Sequence, residues 1–154
     1  MRKIGKIFRF LLPVIALVAL VVFMTGAGRR ERAKEAEIKE LLEDMFKAID
    51  NGDVEKMLSF LSEDATFNFP GQPPVKGKEA IKGFFAGLGQ QFKGLKHGLN
   101  KFIIKGDNVA LEGMIKFTFP DGREVDSPFV DIFEMRAGKI HQYRVYLDTA
   151  ALAK

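Results

Sequence analysis

Cysteine and tryptophan are absent from these 154 residues, and there are only two histidines and two tyrosines. Without cysteine there can be no disulfide, no thiolate nucleophile and no Cys-ligated metal site. The histidines, His97 and His141, are far apart and lack the H-x-x-x-H spacing, so neither a metal centre nor a cofactor is expected. Also missing are a G-x-G-x-x-G turn, a Walker phosphate loop, a nucleophile elbow, internal repeats and low-complexity stretches. What the chain has in excess is phenylalanine: 15 in all, 12 of them after residue 28. That length suffices for one domain with a real core, and the core should be rich in benzyl groups.

The formal charge of +4 is not spread over the chain. Residues 1–28 contain Arg2, Lys3, Lys6 and Arg9 and no acid, which leaves 20 basic and 20 acidic residues in the remainder. Once Arg29 to Lys34 are also set aside, residues 35–154 carry a net charge of −3. The positive charge therefore brackets an apolar segment. That arrangement points to anionic lipid headgroups as the partner and away from nucleic acid, for which no basic–aromatic surface is present.

Between Arg9 and Arg29 lie 19 residues without a formal charge, Phe10 to Gly28. As a helix they would extend about 28 Å, close to the hydrocarbon thickness of a bilayer. The expectation is an uncleaved single-pass anchor over residues 1–28, contacting lipid through residues 10–28, then a basic juxtamembrane linker over residues 29–34. The alternative is a signal peptide cleaved near Ala27 and a secreted product. Basic residues flank the run on both sides, so orientation stays open.

The remaining residues, 35–154, read as one domain. Ile38, Leu41, Leu42, Met45 and Ile49 recur at helical spacing, and Asn51-Gly52 marks the stop. Asp53 can cap a short helix carrying Val54, Met57, Leu58 and Leu61. Ala65 to Phe69 alternates like a strand, and Pro70 to Pro74 forbids regular structure. A third helix carries Ile81, Phe84, Phe85 and Leu88; with Gly83, Gly87 and Gly89 weakening it, its end is expected near Leu88. Strands follow over Leu99–Lys105 and Asn108–Phe119, with turns at Gly106-Asp107, Pro120 to Arg123 and Arg136 to Gly138. Three helices followed by sequential antiparallel strands predict an α+β domain, a curved sheet with helices over one face.

Three ordered segments carry a resemblance: Ala48 to Asp53 (AIDNGD), Phe60 to Thr66 (FLSEDAT) and Gly77 to Ile81 (GKEAI). A fourth runs from Val130 to Ile140 (VDIFEMRAGKI) and closes with Arg144 to Asp148 (RVYLD). Together they resemble the SnoaL-like, or nuclear-transport-factor-like, superfamily over about residues 35–150. The resemblance implies a cone-shaped fold with a pocket between a concave sheet and the helices. It also brings relatives that include ketosteroid isomerases, limonene epoxide hydrolases, polyketide cyclases and non-catalytic members. Isomerases of this kind use a general-base Asp, helix-borne Tyr residues and a protonated Asp on the penultimate strand. The corresponding positions here are Phe69 for the base, Met45 and Phe85 for the tyrosines, and Asp131, which alone keeps its type. The groups that activate water in the epoxide hydrolases fall on Phe67, Phe69, Gly113, Ile115 and Val145. Most familiar catalytic positions are therefore apolar, and ketosteroid isomerase activity itself is not expected.

The last hairpin can also be read from spacing. A three-residue loop at Arg136 to Gly138 would pair Asp131 with Tyr143, Phe133 with His141 and Phe129 with Val145. Alternation would then place Phe129, Asp131, Phe133, His141, Tyr143, Val145 and Leu147 on one face. A lone carboxyl among Phe rings should have a raised pKa, opposed by a hydrogen bond from Tyr143. Asp131, His141 and Tyr143 are the candidate catalytic or polar contacts. Met45, Phe67, Phe69, Phe85, Phe117, Phe129, Phe133, Val145 and Leu147 are the expected ligand-lining residues. His97, before Gly98 in a predicted loop, is read as incidental. The leading functional expectation is a membrane-tethered module that binds a small hydrophobic molecule. An enzyme of the cyclase or isomerase type using Asp131 with His141 or Tyr143 is the alternative, and an interaction domain with a non-functional pocket is a third. On the opposite sheet face Val130, Ile132 and Tyr146 predict a partly apolar exterior through which a homodimer would form.

Overall fold

The computed structural model describes residues 28–153. The expected anchor over residues 10–28 lies outside the described residues except for Gly28, and among the described residues no helix is long and apolar enough to cross a membrane. The chain divides into two compact units at Ala36 and Glu37. The described part of the first, residues 28–36, is helical and carries Arg29, Arg30, Arg32 and Lys34.

In the second unit residues 37–50 form helix α1. It buries Ile38, Leu42, Met45, Phe46 and Ala48. Its end is a Schellman motif: Gly52 takes φ +70°, its N–H donates to Ile49 O at 3.0 Å, and Asp53 N–H donates to Ala48 O at 2.9 Å. Helix α2, Val54–Ser59, starts on an Asp53 cap whose Oδ1 accepts from Lys56 N–H at 3.0 Å. Leu61 belongs not to this helix but to strand β1, Leu61–Asn68, which begins four residues earlier than expected and buries Leu61, Ala65 and Phe67. A two-residue strand β2, Val75–Lys76, follows the proline-rich turn. Helix α3, Lys78–Gln91, runs through all three of its glycines and past Leu88, where the sequence suggested a stop. Burial of Ile81 and packing of Phe84 and Phe85 against the core offset the low propensity of glycine there.

Strands β3 (Gly94–Lys105), β4 (Asn108–Thr118), β5 (Glu124–Arg136) and β6 (Lys139–Leu147) form an antiparallel meander. The six-stranded sheet has the order β2-β1-β6-β5-β4-β3 and is mixed, because β1 lies parallel to β6. Sequential antiparallel pairing predicted four of these strands and missed that parallel contact. The sheet is curved. The helices cover its inner face, where Phe46 packs edge-on against Phe133 and Tyr143.

The hairpin between β5 and β6 corrects the predicted register. Its loop has two residues, Ala137 and Gly138, both at positive φ, and Arg136 pairs with Lys139. The pairing then slips by one residue between Glu134 and Met135, which leaves His141 as the extra residue of a bulge. Beyond it Phe133 pairs with Tyr143, Asp131 with Val145 and Phe129 with Leu147. The net error is two residues, an even number, so the inward face of Phe129, Asp131, Phe133, Tyr143, Val145 and Leu147 is kept. Only His141 is displaced from it.

Candidate functional site

An inner cavity of about 40 Å³ lies between the concave sheet and helices α1 and α3. Of the residues the sequence proposed for it, Phe67, Phe69, Phe85, Phe117, Phe129, Asp131, Tyr143, Val145 and Leu147 line the wall. Met45 and Phe133 do not. Both are fully buried, behind that wall, as core. Ile49, Phe85, Leu88 and Leu95 also border an outer chamber of about 360 Å³, next to Asp50, Asn51 and Lys93.

Asp131 is 2% exposed, and its Oδ2 accepts a hydrogen bond from the Tyr143 hydroxyl at 2.8 Å. The two residues are diagonal neighbours across the hairpin, not the direct partners expected. Burial raises the Asp131 pKa from its ordinary value to about 8, and the bond from Tyr143 works in the opposite direction. Burial, with Asp131 beside it, also pushes the Tyr143 hydroxyl well above its usual range. Asp131 is therefore mostly a neutral acid at pH 7. With Oδ2 engaged as acceptor, its proton falls to Oδ1, which is buried and has no hydrogen-bond partner among the described residues. A neutral carboxyl facing Phe rings can donate to a carbonyl or other acceptor oxygen.

His141 takes no part in this. Its Nδ1 lies 3.3 Å from Ser62 Oγ and 3.5 Å from Asp64 Oδ1, on the β1 side of the bulge. There Arg136 donates to both oxygens of Asp64, at 2.5 and 2.6 Å. That bond first, and one from Ser62 second, hold the Asp64 carboxyl down to about 2. The expected trio of Asp131, His141 and Tyr143 is thus reduced to a pair, because the bulge turns His141 away.

The histidine in the cavity wall is His97. It lies in β3, not in a loop, and its side chain is 7% exposed. Its backbone N–H donates to both oxygens of Asp50, at 3.2 and 3.0 Å, and its Nδ1 meets Asp50 Oδ1 at 2.5 Å. Phe46 and Phe129 hold the ring with centroids at 4.8 and 5.6 Å. The signal that could have found it is the alternation Leu95, His97, Leu99, all inward, which Gly94 and Gly98 disguise as a loop. Phe129 reaches this position because Gly113 stands opposite it in β4: a Cβ there would meet Phe129 ring carbons at 2.6 Å.

Among the described residues no group of acids and histidines could hold a metal ion.

A nuclear-transport-factor-2-like protein from Anabaena variabilis has the same fold, with TM-score 0.67 and 26% identity, covering 75% of this chain and 90% of that one. TerC, co-crystallised with polyporic acid, gives TM-score 0.70 at 23% identity over 76% of this chain and 95% of its own. An epoxide hydrolase from M. tuberculosis, of the limonene-epoxide-hydrolase-like kind, gives 0.67 at 18% identity over 77% and 87%. Residues 42–143 match the SnoaL-like domain, two thirds of the chain, and the chain belongs to that family.

Proposed function

We propose that the domain binds a small hydrophobic molecule carrying an acceptor oxygen, with Asp131 Oδ1–H as the donor that orients it. The observation that carries this reading is the buried, unpartnered Oδ1 of a neutral carboxyl in a wall of Phe side chains. Leaving such a group unpaired costs about 1–3 kcal/mol, which a ligand oxygen would recover. The inner cavity of about 40 Å³ receives the polar part, and the apolar part lies against Phe85 and Leu88, which also border the outer chamber. The co-crystallisation of TerC with polyporic acid supports the idea that this fold accepts such an occupant. Binding rather than turnover is favoured because Phe67, Phe69, Phe85 and Val145 supply no proton-transfer group, and His141 is bonded elsewhere.

The test is a thermal-shift panel of sterols, polyketides and fatty acids on the full chain in detergent, alongside native mass spectrometry of protein taken from its own membranes. Stabilisation by one class, lost in Asp131→Leu, is the expected result. No shift and no co-purified molecule would leave a domain that acts through its surface alone.

The uncharged run from Phe10 to Gly28, with basic residues on both sides, supports tethering of this domain to a membrane. Carbonate extraction should leave the protein in the pellet with its first residues intact, whereas a mature N-terminus near Gly28 would mean cleavage and release. Exposed Met114, Val130 and Tyr146 on the outer sheet face support homodimerisation through that face. Sedimentation analysis of Val130→Glu should then show monomer where the unmodified chain sediments as dimer.

A further inference from the structure

Asp50 sits in the last turn of α1, three residues before the second Schellman donor, Asp53. An acid there opposes the helix macrodipole, whose negative end favours cations. Its partner His97 occupies a wall position that Phe would fill without any polar group to satisfy. Two residues that each work against local stability, joined to one another and facing a cavity, are the kind of local exception that marks a site.

The hydrogen-bond geometry places a hydrogen on Nδ1. Both Asp50 oxygens accept from the His97 backbone N–H, so the carboxyl is an acceptor and Nδ1 carries the hydrogen directed at it. Nε2 has no partner among the described residues, and in the neutral ring it is an acceptor. Phe46 and Phe129 keep the imidazole in place on two sides.

We infer that the Asp50–His97 pair is the second polar contact of the cavity and accepts a hydrogen bond at Nε2, so that the ligand bears an acceptor oxygen at one end and a hydroxyl or N–H donor at the other. This rests on the reading of Asp131 as the donor to a bound oxygen. It narrows the occupant from any oxygenated apolar molecule to a compact one, polar at both ends and apolar between, such as a hydroxyaryl ketone.

The experiment uses 4-hydroxyacetophenone and 4-methoxyacetophenone as probes, with dissociation constants measured by calorimetry on the full chain in detergent. The hydroxyl compound should bind the unmodified protein about tenfold more tightly, the scale of one hydrogen bond to a buried acceptor. His97→Phe should abolish that preference. Asp50→Asn gives a second variant, in which the amide NH2 donates to Nδ1, the ring proton moves to Nε2, and the preference for the hydroxyl compound is lost again. Thermal unfolding of each variant separates loss of preference from loss of fold. Equal affinity of the two probes for the unmodified protein, with both weakened by Asp131→Leu, overturns the second contact and leaves the first reading standing. No binding of 4-hydroxyacetophenone overturns the inference, and an unresponsive thermal-shift panel then removes the reading beneath it as well.

Discussion

Tyr143 donates its hydroxyl hydrogen to Asp131 Oδ2 at 2.8 Å, reaching diagonally across the last hairpin between two buried side chains. The bond opposes, without cancelling, the cost of burying a carboxyl, and Asp131 keeps a pKa of about 8. The folded chain therefore binds this proton more tightly than the unfolded chain, whose value is the ordinary 3.8.

That difference sets a pH dependence of stability. Between about pH 4 and pH 8 the folded protein holds a proton that the unfolded chain has lost, so stability is greatest at the acid end and falls as pH rises. The dependence approaches that of one proton per molecule inside the window and flattens above pH 8. Asp64, held down to about 2 by Arg136 against an ordinary 3.8, adds an opposite dependence that overlaps only the acid edge of this window. In Asp131→Asn the amide oxygen still accepts from Tyr143 and nothing ionises. Its Tm should exceed that of the unmodified protein at pH 8, and the gap should close toward pH 4. Parallel Tm curves for the two proteins would show that Asp131 is not a buried neutral acid.

Tyr143→Phe removes the one contact that lowers the Asp131 pKa. The carboxyl should then titrate above 8, and the chain should lose about 1–3 kcal/mol at neutral pH, because Oδ2 is left as unpartnered as Oδ1. Carbon-13 detection of the Asp131 carboxyl through a pH series reads the first effect, and denaturant unfolding reads the second. A midpoint that falls on losing Tyr143 contradicts the assignment.

These two residues were legible because face and register carry different information. Alternation placed Asp131 and Tyr143 on the inner face, and that survived a two-residue register error. The position of His141 depended on the loop length and the bulge. Nothing local announces either, since Ala137 holds a positive φ that Asn or Gly usually signals. The ordered helices and strands could be read from spacing and from family resemblance, but the parallel β1–β6 contact is tertiary and has no local signature. His97 was missed for a related reason. Its role depends on Asp50, 47 residues away, and glycines on either side gave its strand the look of a loop.

Gly113 should be the least replaceable glycine of the sheet. A Cβ at this position would lie 2.5 Å from Gly98 O and 2.6 Å from two ring carbons of Phe129. The ring could rotate away, but the carbonyl belongs to the neighbouring strand and cannot move without breaking the β3–β4 ladder. Gly113→Ala should destabilise by about 1–3 kcal/mol, as overpacking does. In a Phe129→Ala background part of that cost should disappear, because one of the two clashes has gone, while the backbone clash remains. A double-mutant cycle in denaturant measures the coupling; strict additivity would mean that the ring and the glycine do not meet.

The glycines of α3 present the opposite case. Gly83, Gly87 and Gly89 lie within the helix, none has φ in the left-handed region, and a Cβ at each would meet nothing within 4 Å. No packing demand explains them, yet each costs about 1 kcal/mol relative to Ala. Single Ala substitutions should each stabilise the domain by roughly that amount, read as a rise in Tm. The same helix carries Phe85 and Leu88, which stand between the inner cavity and the outer chamber. A body too large for about 40 Å³ can reach Asp131 only if those side chains give way. The triple Ala variant should therefore be more stable and should also take up ligand more slowly, seen as a lower association rate in stopped flow. Faster unfolding or unchanged association would mean that the low propensity of this helix has no part in admitting the occupant.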